Sequence, residues 1–69
     1  MDFENILFEH SDGVALIRMN RPKEMNTLNF GLTADLLRAL EVCWDDAGIK
    51  AVVLTGSGRA FCAGGDVAA

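Results

Sequence analysis

An apolar strand-like run, an amphipathic stretch and a second apolar run follow one another between residues 14 and 55, and this succession constrains the fold more than any other feature. The first run, Val14–Met19, is apolar on both faces until Arg18. The last, residues 51–55, is continuous and β-branched in character. Runs of this kind suit strands covered on each side. Between them, Leu32, Leu36, Leu40, Cys43, Trp44 and Ala47 recur at three- and four-residue spacing, and Leu37 widens the stripe. This spacing predicts a helix over residues 30–47. Asn29 is its expected N-cap, and Gly48 the expected left-handed residue beyond its C-terminus. Trp44 is expected to anchor the core, with Asp45 and Asp46 on a solvated surface. A strand–helix–strand crossover of this length joins parallel strands through a right-handed connection.

A further strand is expected over residues 5–10, joined to Val14–Met19 through Ser11-Asp12-Gly13. Asp-Gly between two apolar runs is a strong hairpin signal. Asn20-Arg21-Pro22 closes the second strand, because proline cannot donate to a ladder and holds its predecessor extended. An Asn-rich loop then occupies residues 20–29. After residue 55, Gly56-Ser57-Gly58 turns into a short strand expected around residues 60–62. The order is β-β-α-β-β, without internal repeats or low-complexity segments.

Chain length limits what such a layout can stabilise. With 69 residues, a single core supplies only ~3–5 kcal/mol. Hydrophobic residues nevertheless make up 51% of the sequence, more than so small a domain can bury alone. The chain is therefore expected either to be a piece of something larger or to associate. A net charge of −4 and scattered basic residues exclude a nucleic-acid-binding surface, which needs clustered Lys and Arg. Only Arg18, Arg21 and Lys23 fall close together. The cysteines, Cys43 and Cys62, lack metal-ligand spacing and read as reduced, mostly buried thiols of a cytoplasmic protein. An acidic N-terminus without a basic n-region predicts no signal peptide, and no apolar run approaches the ~20 residues of a membrane span.

The chemistry-bearing stretch is residues 56–69, Gly-Ser-Gly-Arg-Ala-Phe-Cys-Ala-Gly-Gly-Asp-Val-Ala-Ala. Ala63, Gly64 and Gly65 let a main chain pass close to a ligand. Asp66 suits the first turn of a helix, where it meets free N–H groups and the positive end of the dipole. Backbone donors in such a turn can stabilise negative charge on a substrate oxygen. A dinucleotide fingerprint fails because Phe61 stands where the third glycine belongs, and no Gly-Lys-Ser/Thr phosphate loop occurs. His10, the sole histidine, reads as a surface residue. Cys62 has only Arg59 nearby to lower its pKa, and its alternation with Phe61 suggests that one of the two packs inward.

Three segments, Val14-Ala-Leu-Ile-Arg-Met-Asn-Arg-Pro-Lys23, Met25-Asn-Thr-Leu-Asn29 and Ala51-Val-Val-Leu-Thr-Gly-Ser-Gly-Arg-Ala-Phe-Cys-Ala-Gly-Gly-Asp66, resemble the crotonase superfamily, the enoyl-CoA hydratase/isomerase family. The resemblance runs through essentially the whole chain, in order. It implies an α/β fold: the N-terminal β-β-α-β unit of a crotonase-type spiral, incomplete, with residues 1–69 forming the N-terminal part of a single domain. It further implies an acyl-CoA thioester whose carbonyl is polarised by two backbone N–H groups. Gly65 would supply the first of these. Ala63, Gly64 and Asp66 match the segment that lies along the CoA moiety and thioester, while Lys23, Glu24 and Met25 match the other CoA-contacting segment. Lys23 could approach the phosphates, or the basic residues could simply be solvated at a strand end.

Coenzyme A is then part of the substrate, no cofactor stays bound, and the expected assembly is a homo-oligomer, a trimer or dimer of trimers. Relatives of this kind are several times longer. They take the second oxyanion donor and the acid/base carboxylates from later segments, for which Glu24 and Glu41 are no substitutes. The 69-residue chain is accordingly expected to be inactive alone. The alternative is a non-catalytic remnant serving as a CoA-binding or assembly module.

Overall fold

The computed structural model describes residues 3–64. Its elements are β1 (Ile6–Ser11), β2 (Val14–Met19), a one-turn 3-10 helix (Pro22–Glu24), α1 (Phe30–Asp45) and β3 (Ala51–Gly56). The sheet order is β1-β2-β3, with β1 antiparallel and β3 parallel to β2. Asp12 and Gly13 both take positive φ, 52° and 81°, as a two-residue turn matching strand twist requires. β1 runs one residue later than the sequence suggests, because Ser11 still pairs with Val14.

Pairing of Ile6 with Met19 and of Phe8 with Ile17 aligns one sheet face. Ile6, Ala15, Ile17 and Met19 on that face are buried against Leu32, Ala39 and Cys43 of α1. Asn29 caps the helix as expected, its Oδ1 accepting from the Leu32 N–H at 2.8 Å. The Asp35 carboxylate, placed by its spacing on the polar side of the helix, instead accepts from both the backbone N–H and the side-chain amide of Asn5, at 2.9 and 3.2 Å. The start of β1 is thereby tied to the first turns of α1.

Several expectations need correction. Trp44 is 90% exposed and Leu40 47%, so neither anchors the core. The apolar stripe was wider than two strands can cover. The helix seats on its narrow seam of Leu32, Leu36, Ala39 and Cys43, where the small residues permit close approach to β1 and β2. The helix also ends at Asp45, and Gly48 is not left-handed. Asp46 is extended, and its carboxylate accepts from the Gly48 N–H at 2.8 Å. That side chain supplies the turn that a left-handed glycine would otherwise make.

β3 is not buried on both faces: Val52, Val53 and Leu54 are 42%, 48% and 45% exposed. It is an edge strand, and α1 lies over β1 and β2. β2 is likewise covered on one face only, with Val14 and Arg18 exposed on the other. Residues 60–62 form no strand; the chain turns at 58–59 and continues as irregular backbone with a bend at residue 61.

Candidate functional site

Met19 and Gly56 are register partners at the C-terminal ends of the parallel strands β2 and β3. The two segments singled out for ligand contact therefore leave the sheet side by side. Open α/β sheets place their ligands at this end of the strands.

The first segment folds back on itself immediately. Pro22 at the start of the 3-10 helix presets its own φ, and the N–H groups of Glu24, Met25 and Asn26 return to the carbonyls of Arg21 and Pro22 at 2.8–3.1 Å. Met25 and Asn26 are then both left-handed, with φ of 51° and 56°. Two consecutive non-glycine residues in that region carry backbone strain, which persists only where surrounding contacts enforce it. Arg21 contributes to that enforcement, its guanidinium donating to the Thr27 carbonyl at 2.6 Å.

Asn26 is the decisive side chain, and sequence reasoning gave it no role. It is fully buried. Its Oδ1 accepts from the Arg21 N–H at 2.8 Å, while its Nδ2 donates to the Ser57 and Ala60 carbonyls at 2.8 and 2.7 Å. Its tolerance of the left-handed conformation was the one local signal available.

The second segment is held against the first by its main chain. The Ala63 N–H donates to the Met25 carbonyl at 3.0 Å, and the Leu28 N–H to the Gly64 carbonyl at 2.8 Å. An Arg59 guanidinium nitrogen lies 3.6 Å from the Met25 sulfur. Gly64 has φ of 106°, and a Cβ there would meet nothing within 4 Å. Its backbone conformation, not crowding, requires glycine.

Of the expected ligand residues, Met25, Ala63 and Gly64 are thus joined directly. Lys23 and Glu24 are exposed on the adjoining 3-10 turn, where with Asn5, Asn20, Arg21 and Pro22 they line a shallow cleft of about 390 Å³. Arg18 lines a different depression, with Leu7, Glu9 and Leu16 of the outer sheet face and with Phe8. Gly65 and Asp66 lie outside the described residues.

The enoyl-CoA hydratase/isomerase family matches residues 9–69. The chain belongs to that family. It is 45% identical over 64 residues to 3-hydroxyisobutyryl-CoA hydrolase 1 of Arabidopsis thaliana, covering 93% of this chain and 17% of that protein. It is 42% identical over 69 residues to the mitochondrial enoyl-CoA hydratase of Pongo abelii, covering 96% and 24%. Among solved structures, an enoyl-CoA hydratase/isomerase from Mycobacterium paratuberculosis superposes with a TM-score of 0.93 at 36% identity, over 96% of this chain and 26% of that one. A carnitinyl-CoA dehydratase from Mycobacterium avium gives a TM-score of 0.89 at 39% identity, over 94% and 26%. The chain thus spans about a sixth to a quarter of the proteins it matches. The α/β unit expected from sequence is the one these crotonase-fold structures share. Among the described residues, no helix is long and apolar enough to cross a membrane.

Of the other reactive side chains, His10 and Cys43 lie elsewhere, whereas Cys62 directly precedes Ala63, its sulfur 3.9 Å from the Gly64 carbonyl oxygen. His10 is exposed near the hairpin turn, its ring 6.1 Å from that of Phe8, at the far end of β1 from Asn5. Both cysteines are free, Cys43 buried and Cys62 half-buried. Burial pushes the Cys43 thiol up, and the Asp46 carboxylate adds to the rise. Because the thiolate is the reactive form, Cys62 should be labelled by a disulfide reagent well before Cys43 in the native protein. Denaturant should bring the two rates together. Because burial disfavours the Cys43 thiolate, stability is undiminished below the ordinary thiol range and falls as pH rises from there through the raised folded-state pKa.

Proposed function

We propose that this chain is the acyl-CoA-binding, N-terminal part of a single crotonase-like domain whose activity is hydration or isomerisation through a thioester enolate. Gly65 is assigned the first oxyanion-hole donor through its backbone N–H. Ala63, Gly64 and Asp66 are assigned to the thioester and CoA moiety, as are Lys23, Glu24 and Met25. The observation that carries this reading is the pair of main-chain hydrogen bonds joining Met25 to Ala63 and Leu28 to Gly64. They make one surface of two segments that sequence alone leaves separate.

The chemistry follows from that surface. A carbonyl oxygen gaining charge is best met by fixed donors that need no reorganisation, each worth about 3–4 kcal/mol. Lys23 offers a cation beside the cleft for phosphate. No proton-transfer role is assigned to Glu24, exposed on the 3-10 turn, or to Glu41, exposed on α1. A second reading is a non-catalytic CoA-binding or assembly module, for which the exposed apolar side chains of α1 and β3 would supply the contact surface. Exposed apolar side chains such as Trp44 and Val53 suit a homo-oligomer on either reading, and a cytoplasmic location is carried as part of the proposal.

Infrared spectroscopy of butyryl-CoA, isotopically labelled at the thioester carbonyl, tests the assignment. Binding should lower the carbonyl stretching frequency. Gly65→Val should remove that shift while CoA is still bound. Binding without a frequency shift in the unsubstituted chain would contradict the oxyanion role and leave the module reading. Because the 69-residue chain is expected to be inactive alone, hydration of crotonyl-CoA by a longer product of the same gene would favour the enzyme over the module.

A further inference from the structure

Asn26 is the only buried polar side chain among the described residues, and its hydrogen-bonding groups are used in a particular division. The acceptor faces its own segment, at the Arg21 N–H. Both amide hydrogens face the other segment, one toward the Ser57 carbonyl and one toward the Ala60 carbonyl. A carboxamide has two such hydrogens, so no donor is left for a ligand, and full burial keeps the oxygen from reaching one. The partner atoms flank the first turn after β3, just ahead of the Ala63-Gly64 stretch. The same residue sits beside Met25 in the left-handed region, a conformation that neighbouring contacts must hold.

We infer that Asn26 is a positioning residue: its carboxamide clamps the 21–26 turn to the 57–60 turn and so sets where Ala63 and Gly64 lie relative to Lys23 and Met25. The inference rests on the reading of those four residues as the acyl-CoA surface. Asn26 touches no substrate itself. Without its two donors, the Met25–Ala63 and Leu28–Gly64 hydrogen bonds, the Ser57 N–H on the Met19 carbonyl and the Arg59–Met25 contact remain as links, but none of them holds the Ala60 carbonyl. Small misplacements of this kind are costly where donors must meet a developing charge.

The test is calorimetric titration of the chain with butyryl-CoA, comparing Asn26→Asp, Asn26→Ala and Ile17→Ala. Asp is nearly isosteric and keeps the acceptor for Arg21, but it turns an oxygen toward two carbonyl oxygens. Ile17→Ala weakens the core without touching the clamp. Each variant is titrated at a temperature where circular dichroism finds it folded, and Val53→Ala, a milder change outside the clamp, replaces Ile17→Ala if the latter does not fold. Both Asn26 variants should lose about tenfold or more in affinity, while Ile17→Ala should stay within about twofold. A wild-type measurement covers the case in which neither Asn26 variant folds: the side-chain amide resonances of Asn26 should resist exchange and shift together with the Ala63 amide as butyryl-CoA is added.

Asn26 variants that bind as Ile17→Ala does would overturn the positioning role and leave the ligand surface standing. So would Asn26 resonances that stay fixed while Met25 and Ala63 move. A wild-type chain that binds no butyryl-CoA would overturn the ligand surface and the positioning role together.

Discussion

Replacing Gly56 with alanine is expected to cost about 1–3 kcal/mol or more through overpacking. A new Cβ would stand 2.5 Å from the Phe61 carbonyl oxygen, 2.8 Å from Asn26 Nδ2 and 3.0 Å from the Ala60 carbonyl oxygen. Two of these are main-chain atoms, so no rotamer change relieves the contact. The third is already committed to the Ser57 and Ala60 carbonyls. Residues 60–61 would have to move away from the loop, breaking the Asn26 hydrogen bonds that join the 21–26 and 57–60 turns. Against the ~3–5 kcal/mol available to a core of this size, a loss at the upper end leaves little cooperative folding. Urea titration followed by circular dichroism measures it. An unchanged midpoint would mean that the 60–61 backbone does not sit where the structure places it.

A second large effect separates two strand residues that look alike in sequence. Ile17 is completely buried, whereas Val53 is 48% exposed. Truncating Ile17 to alanine should cost about 2–5 kcal/mol, since lost transfer free energy and a cavity add. The matching change at Val53 should cost less than about 1 kcal/mol, because a half-exposed edge position loses little packing. Thermal melts of the two variants, run side by side, report the difference. Equal losses would mean that β3 is covered in solution, as the apolar run 51–55 first suggests.

That contrast marks where sequence stops being informative. The β2 limits, the Asp12-Gly13 turn, the Asn29 cap and the parallel pairing all depend on neighbours within a few residues or on the length of one crossover. Each was legible. Burial of Trp44 or Leu54 depends instead on what lies over a given face, and the chain offers more apolar surface than α1 and three strands can cover. The seam that wins is set by the closeness Ala39 and Cys43 allow, which periodicity does not encode.

The candidate site divides in the same way. Motif resemblance picks out Lys23, Met25, Ala63 and Gly64, because it reads residue types within short contiguous stretches. Asn26 escapes notice because its partners are 31 and 34 residues away. Its importance is a property of the assembled loops. Gly56 escapes for a related reason: the atoms that forbid a side chain there belong to a turn whose path the sequence does not reveal.

The measurement that bears most directly on the joined ligand surface is amide mapping by two-dimensional NMR of the uniformly labelled chain during titration with butyryl-CoA. Shifts should concentrate at residues 23–28 and 63–66 together and saturate with a single affinity, leaving the hairpin turn at Asp12 and the exposed face of α1 around Trp44 unmoved. Shifts confined to one of the two segments, or centred on the apolar surface of β3 and Trp44, would contradict it.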